Sequence, residues 1–174
     1  IFLAKNFFNL NEIRKIKQSI NQVKKNKPQK FKGIMKYYEK NLLKNKKQIL
    51  VRAEYFYDLN NKLRKLIDSK KIKNVLKKLT GGKCIIFKEK INFKPPGCRQ
   101  DKLHQDMQGD WEKYSKNFIS VLVSIDKSSK ENGCLEFDIS GNNHKKLKGP
   151  IFKELKISKL KKPKFKKIEL DSGD

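Results

Sequence analysis

The chain has 174 residues, enough for one compact domain. Only 36% of its residues are hydrophobic, and no apolar run approaches the ~18 residues of a transmembrane helix, so we expect a soluble protein without a membrane span. The formal net charge is +26, yet only four of the 44 basic residues are arginine, the side chain best suited to bidentate contacts with phosphates and bases. We therefore attribute the positive charge to a general enrichment in lysine and not to a nucleic-acid-binding surface.

The three cysteines, Cys84, Cys98 and Cys134, form no CxxC pair. An odd number of cysteines without paired spacing favours neither a disulfide framework nor a structural zinc site. We therefore expect a reducing, cytoplasmic setting.

Residues 1–82 have helical periodicity and contain little glycine or proline. Apolar residues recur every three or four positions over 13–23, which predicts an amphipathic helix that ends before the first proline. A second apolar stripe over 56–67 predicts another helix. A third is predicted to be capped at residues 68–69 and terminated by the Gly-Gly pair at 81–82.

After residue 82 the hydrophobic period changes to two, which is typical of strands with one apolar and one polar face. Residues 83–94 alternate between a predicted core face and a predicted polar face, formed respectively by Ile85, Phe87, Ile91 and Phe93 and by Lys88, Lys90 and Asn92. Further strands are predicted at 118–126, 134–140 and 167–171. Helices followed by short strands of this kind predict an α+β fold in a single domain, 1–174, with a helical part (1–82) and a β part (83–174).

His104 and Asp106 are the most informative pair for chemistry. Side chains two positions apart on extended backbone point the same way, so an imidazole nitrogen and a carboxylate oxygen can converge on one point. These are two of the three ligands of the 2-His-1-carboxylate set that holds non-haem Fe(II). On spacing alone, a surface or structural His–Asp pair is the commoner arrangement.

Five motifs in chain order resemble the phytanoyl-CoA dioxygenase family. They are FKEKINFKPPG (87–97), LHQD (103–106), ENGCLEF (131–137), SGNNHK (140–145) and LDSGD (170–174). The resemblance covers roughly residues 83–174. It implies N-terminal helices packed on a double-stranded β-helix, a cupin-like jelly roll, and a Fe(II)- and 2-oxoglutarate-dependent dioxygenase that hydroxylates a small molecule.

The resemblance also implies roles for individual residues. His104 and Asp106 correspond to the first histidine ligand and the carboxylate ligand. The second histidine ligand and an arginine for 2-oxoglutarate normally follow the Gly-Asp turn, where this chain stops, and His144 belongs to a loop upstream of that turn. We therefore expect a C-terminally truncated jelly roll, with weak iron binding and no activity of its own.

Four further residues are implied to surround the co-substrate or the substrate. Lys88 and Asn92 lie on the predicted polar face, from which some family members contact 2-oxoglutarate, and Leu122 would lie near the same co-substrate. Trp111 would form a wall for substrate or co-substrate, although a core tryptophan that shields the lumen is an equally good interpretation.

Two alternative functions remain open from the sequence. A non-enzymatic binding module could keep the jelly roll, and it would show no iron-dependent turnover even with the missing segment restored. A basic binder of nucleic acid or membrane surfaces would show a steep salt dependence, and its shortage of arginine counts against it.

Overall fold

The computed structural model describes residues 1–26, 33–43, 47–142, 146–147 and 154–174. They form two compact units. We call Asn11–Arg99 the hairpin unit, and Ile1–Leu10 together with Gln100–Asp174 the motif unit. Helices and small antiparallel sheets confirm the α+β class, whereas one domain over 1–174 stays a prediction. In the described part of the chain, no helix combines the length and the apolar character needed to cross a membrane.

Helix α1, Leu10–Lys25, confirms the first predicted helix. The predicted apolar stripe is its buried face, and Val23 is fully buried. Lys24 and Lys25 occupy the last turn, where positive charge interacts favourably with the helix dipole. The helix therefore forms where its local periodicity predicts it.

The prediction that residues 1–82 are helical is wrong for the segment after α1. Strands β1, Met35–Lys40, and β2, Gln48–Glu54, form an antiparallel hairpin there. Its pairing runs from Met35 opposite Glu54 to Lys40 opposite Gln48, with an irregularity between Tyr37 and Tyr38. β-branched and aromatic residues suit a strand, but scattered lysines obscure the two-residue period in this stretch.

Helices α2, Asn61–Ile67, and α3, Lys70–Thr80, follow the hairpin. α2 is shorter than predicted because the backbone of Asn60 is extended and its side chain caps the helix. The predicted limits of α3 are confirmed: Ser69 accepts a hydrogen bond from the first turn, and Gly81 ends the helix at a φ of 72°.

Strand β3, Lys90–Asn92, completes a three-stranded sheet in the order β1-β2-β3. It is much shorter than the predicted strand over 83–94. The predicted alternation holds locally, because Lys90 and Asn92 are exposed and Ile91 between them is partly buried. The predicted core role is wrong for Ile85 and Phe87, which are 85% and 45% exposed.

In the motif unit, β4, Leu135–Asp138, pairs antiparallel with β5, Phe165–Ile168. The strand predicted at 134–140 is therefore confirmed, and the one predicted at 167–171 begins earlier. The strand predicted at 118–126 forms no ladder among the described residues, and Leu122 is 53% exposed. Alternation alone does not make a strand, because a strand also needs a neighbour for its backbone groups.

The Asp174 side chain anchors the beginning of the motif unit. One carboxylate oxygen accepts a hydrogen bond from the backbone amide of Asn6 at 2.9 Å, and the other accepts from Lys5 Nζ at 2.6 Å and from the amide of Asp171 at 2.9 Å. Burial opposes ionisation of this carboxyl, but the hydrogen bonds outweigh burial and hold the pKa of Asp174 below its usual range. The ionised side chain of Asp174 therefore contributes to the stability of the motif unit.

We expect Asp174→Asn to destabilise the motif unit by about 1.5–3 kcal/mol at neutral pH, the range for a hydrogen bond to a charged group. Because folding lowers this pKa, the contribution is full above the carboxyl's unfolded pKa and is lost as pH falls through the folded pKa. Urea unfolding at pH 7 and pH 2.5 measures both effects, with Asp171→Asn, an exposed carboxyl of the same turn, as the control. An unchanged difference between variant and parent at the two pH values would contradict the assignment.

Candidate functional site

His104 and Asp106 face each other in the motif unit. His104 Nε2 lies 3.9 Å from Asp106 Oδ1. Asp106 opens a 3₁₀ turn, Asp106–Gly109, and does not lie on a strand. The distance exceeds the ~3 Å expected for two ligands of one ion, so metal binding would draw the two side chains closer. Both side chains are about half exposed, at 55% and 45%.

A backbone contact fixes the tautomer of His104. His104 Nδ1 lies 2.7 Å from the carbonyl oxygen of Lys102. A carbonyl can only accept, so in the neutral ring the proton is on Nδ1 and the lone pair of Nε2 faces Asp106. Metal-binding histidines are commonly held in this way, with the other ring nitrogen donating to a carbonyl.

Asp106 is oriented through its second oxygen. Ser120 Oγ donates to Asp106 Oδ2 at 2.5 Å, which leaves Oδ1 directed toward His104. Short hydrogen bonds of this type to a carboxylate are among the stronger ones in proteins. One oxygen of the carboxylate is thus positioned by the protein, and the other is available to a ligand.

Gln105 connects this pair to the segment after β4, and sequence reasoning missed it. Its Oε1 accepts a hydrogen bond from the amide of Leu147 at 2.8 Å, and its Nε2 lies 3.5 Å from the carbonyl oxygen of Asn142. The residue lies inside the LHQD motif, which is the one signal that could have drawn attention to it.

A cluster of three charged side chains includes two acidic residues that follow the His104–Asp106 pair in sequence. Lys146 Nζ donates to Asp110 Oδ1 at 2.7 Å and to Glu112 Oε1. The hydrogen bonds from Lys146 lower the pKa of both carboxyls, and the same bonds raise the pKa of Lys146. Trp111, between the two acids, packs its ring against Phe118 with centroids 5.6 Å apart.

Asp138, the last residue of β4, organises the loop that follows. Its carboxylate accepts from the backbone and hydroxyl of Ser140, from Asn142 Nδ2 and from the amide of Lys164. Burial disfavours the charged form, but these four bonds outweigh burial and hold the pKa of Asp138 far below its usual range. The start of the loop is therefore tied to a carboxylate that is ionised at neutral pH.

The other predicted cofactor residues have different surroundings. In the hairpin unit, Lys88 Nζ lies 3.2 Å from an oxygen of the buried Glu54, whose same oxygen is 3.2 Å from Arg52 Nε. Asn92 pairs with Arg52 across β2 and β3. Leu122 is an exposed residue of the motif unit. The roles of Lys88, Asn92 and Leu122 toward 2-oxoglutarate stay predictions.

The described residues therefore offer two ligands for a metal ion. They contain no group of three or more His, Cys, Asp or Glu side chains arranged to hold one. The chemistry of the pair fits Fe(II), which accepts imidazole nitrogen and carboxylate oxygen. His144, predicted to be a loop residue, lies outside the described residues.

Comparison with protein families gives a match to the phytanoyl-CoA dioxygenase family over residues 2–174. The chain belongs to this family. The match covers the helical and hairpin segments as well as the five motifs, so the resemblance extends beyond 83–174. No solved structure matches the chain.

Three curated proteins similar to the chain are oxygenases by name. The 2-aminoethylphosphonate dioxygenase of an uncultured bacterium, HF130_AEPn_1, is 32% identical over 80% of this chain and 53% of its own length. Dioxygenase lolE1 of Epichloe uncinata is 30% identical over 79% of this chain and 52% of its own length. The methylphosphonate hydroxylase of Gimesia maris is 35% identical over 49% of this chain and 32% of its own length. The chain thus spans about half the length of the first two relatives.

Proposed function

We propose that the protein containing this chain is a Fe(II)- and 2-oxoglutarate-dependent dioxygenase that hydroxylates a small molecule, with a jelly-roll core. The observation that carries the proposal is the pairing of His104 Nε2 with Asp106 Oδ1 at 3.9 Å in a tautomer suited to metal binding. Membership of the phytanoyl-CoA dioxygenase family supports it.

His104 and Asp106 would each bind the metal through one atom. His104 would bind the metal through Nε2, because the Lys102 carbonyl keeps the proton on Nδ1. Asp106 would bind through Oδ1 while Ser120 holds Oδ2. When bound, Fe(II) supplies the redox chemistry with dioxygen and 2-oxoglutarate that side chains lack.

Other side chains would shape the surroundings of the metal. Trp111, whose ring packs against Phe118, is our proposed apolar wall for substrate or co-substrate. Lys88, Asn92 and Leu122 are our proposed contacts to 2-oxoglutarate. The third metal ligand is a histidine that we place after Asp174.

A small phosphonate is the substrate class to assay first. Two of the three similar proteins are named for 2-aminoethylphosphonate or methylphosphonate. A chain with a net charge of +26 also attracts anionic molecules of any kind. The substrate therefore needs a direct assay, because charge alone does not distinguish one anion from another.

The experiment follows conversion of 2-oxoglutarate to succinate in the protein that contains these residues, with Fe(II) and dioxygen supplied. We expect succinate to form in equal amount to hydroxylated phosphonate and to stop when iron is chelated. Binding of 2-oxoglutarate and metal without any turnover would favour the non-enzymatic binding module. Turnover that continues after chelation would contradict the proposal.

A further inference from the structure

We propose that Gln105 is a positioning residue: its side-chain amide ties the His104–Asp106 pair to the loop after β4 and so fixes the geometry of the metal ligands. This inference rests on the proposed function. Gln105 would not touch metal or substrate, and its effect would pass through the backbone that it shares with both ligands.

Gln105 is placed to control both ligands at once. It lies between His104 and Asp106 in sequence, while its own side chain is engaged with Leu147 and Asn142. Both partners are backbone groups, so they cannot move without the chain around them. A rotation of the backbone at residue 105 would move the imidazole and the carboxylate together, and the two contacts oppose that rotation.

Asn142, one of the two partners of Gln105, is itself held by hydrogen bonds. Asn142 Nδ2 donates to Asp138 Oδ2 at 2.7 Å, and Asn142 Oδ1 accepts from the amide of Lys161 at 2.9 Å. Asp138 is in turn saturated by hydrogen bonds at the end of β4. Gln105 is thus joined, through Asn142, to the β4–β5 hairpin, a regular element of the motif unit.

The chemistry of the contacts calls for a primary amide. The Leu147 amide needs an acceptor and the Asn142 carbonyl needs a donor, and a glutamine side chain supplies one of each on a single planar group. Methionine has similar length and offers neither, so Gln105→Met removes both contacts with little change in volume. Asn142→Ala releases the other end without altering the LHQD segment.

The test measures Co(II) affinity and the visible Co(II) spectrum, together with the melting temperature of the metal-free protein. We expect Gln105→Met to weaken Co(II) binding about tenfold, the lower range for residues that orient metal ligands, and Asn142→Ala to weaken it less, because the Leu147 contact of Gln105 remains. Because the Asn142 contact acts through Gln105, we expect the double variant to bind little more weakly than Gln105→Met alone. Gln100→Leu, at an exposed glutamine of the same unit, is the control and should bind normally.

The outcomes separate this inference from the proposed function. Unaltered Co(II) affinity and spectrum in a folded Gln105→Met would overturn the positioning role alone. Losses that multiply in the double variant would also overturn it, since they would mean independent effects. If Gln105→Met does not fold, Asn142→Ala carries the same test. No Co(II) binding by the protein that contains this chain and the segment after Asp174 would overturn the proposed function and this inference with it.

Discussion

Replacement of His104 by alanine is expected to lower the affinity for Fe(II), Mn(II) or Co(II) by more than about 100-fold. Even residues that only orient metal ligands contribute 10–100-fold, and His104 is proposed to be a ligand itself. The loss leaves Asp106 as the one proposed ligand among the described residues. Calorimetric titration of the metal into parent and variant gives the affinity directly.

The chain provides a matched control, because it has only two histidines. The sequence predicts that His144 is a loop residue and not a metal ligand, so we expect His144→Ala to bind the metal within about twofold of the parent. Loss of binding in His144→Ala with binding retained in His104→Ala would reverse the two assignments.

Replacement of Leu63 by alanine is expected to destabilise the hairpin unit by about 2–5 kcal/mol. Leu63 lies on α2 and is only 3% exposed, so its removal leaves a cavity in the core of that unit. Leu59, four positions earlier, is 52% exposed. We expect Leu59→Ala to cost less than ~1 kcal/mol, because most of that side chain is already in water.

Urea unfolding of the two leucine variants measures how much each substitution lowers the free energy of unfolding. The comparison is well matched, since the chemistry is the same and the two positions differ in burial. Equal shifts of the unfolding midpoint for Leu63→Ala and Leu59→Ala would contradict the placement of α2 on the core.

Local patterns predicted the helices better than the sheets. α1 and α3 follow from apolar periodicity and from caps that are adjacent in sequence, such as Ser69 and Gly81. The β1–β2 hairpin was missed because its pairing of Met35 with Glu54 is non-local. The strand expected at 118–126 has good alternation, but its Ser124 bonds to the terminal turn and not to a strand.

The same distinction applies to the site. The two-residue spacing of His104 and Asp106 was enough to predict that their side chains converge. The groups that orient them lie far away in sequence: Ser120 is 14 positions from Asp106, and Leu147 is 42 positions from Gln105. Such contacts follow from the tertiary fold and have no periodicity of their own in the sequence.

The most direct test of the His104–Asp106 metal site is a Mn(II) titration followed by proton NMR of the His104 and His144 rings. Mn(II) broadens signals of nearby protons, and His104→Ala identifies which ring signal belongs to which residue. We predict that the His104 signal broadens first and that Asp106→Asn shifts its broadening to much higher Mn(II) concentration. A His104 signal that stays sharp at Mn(II) concentrations that broaden His144, or one that broadens equally in Asp106→Asn, would contradict the account.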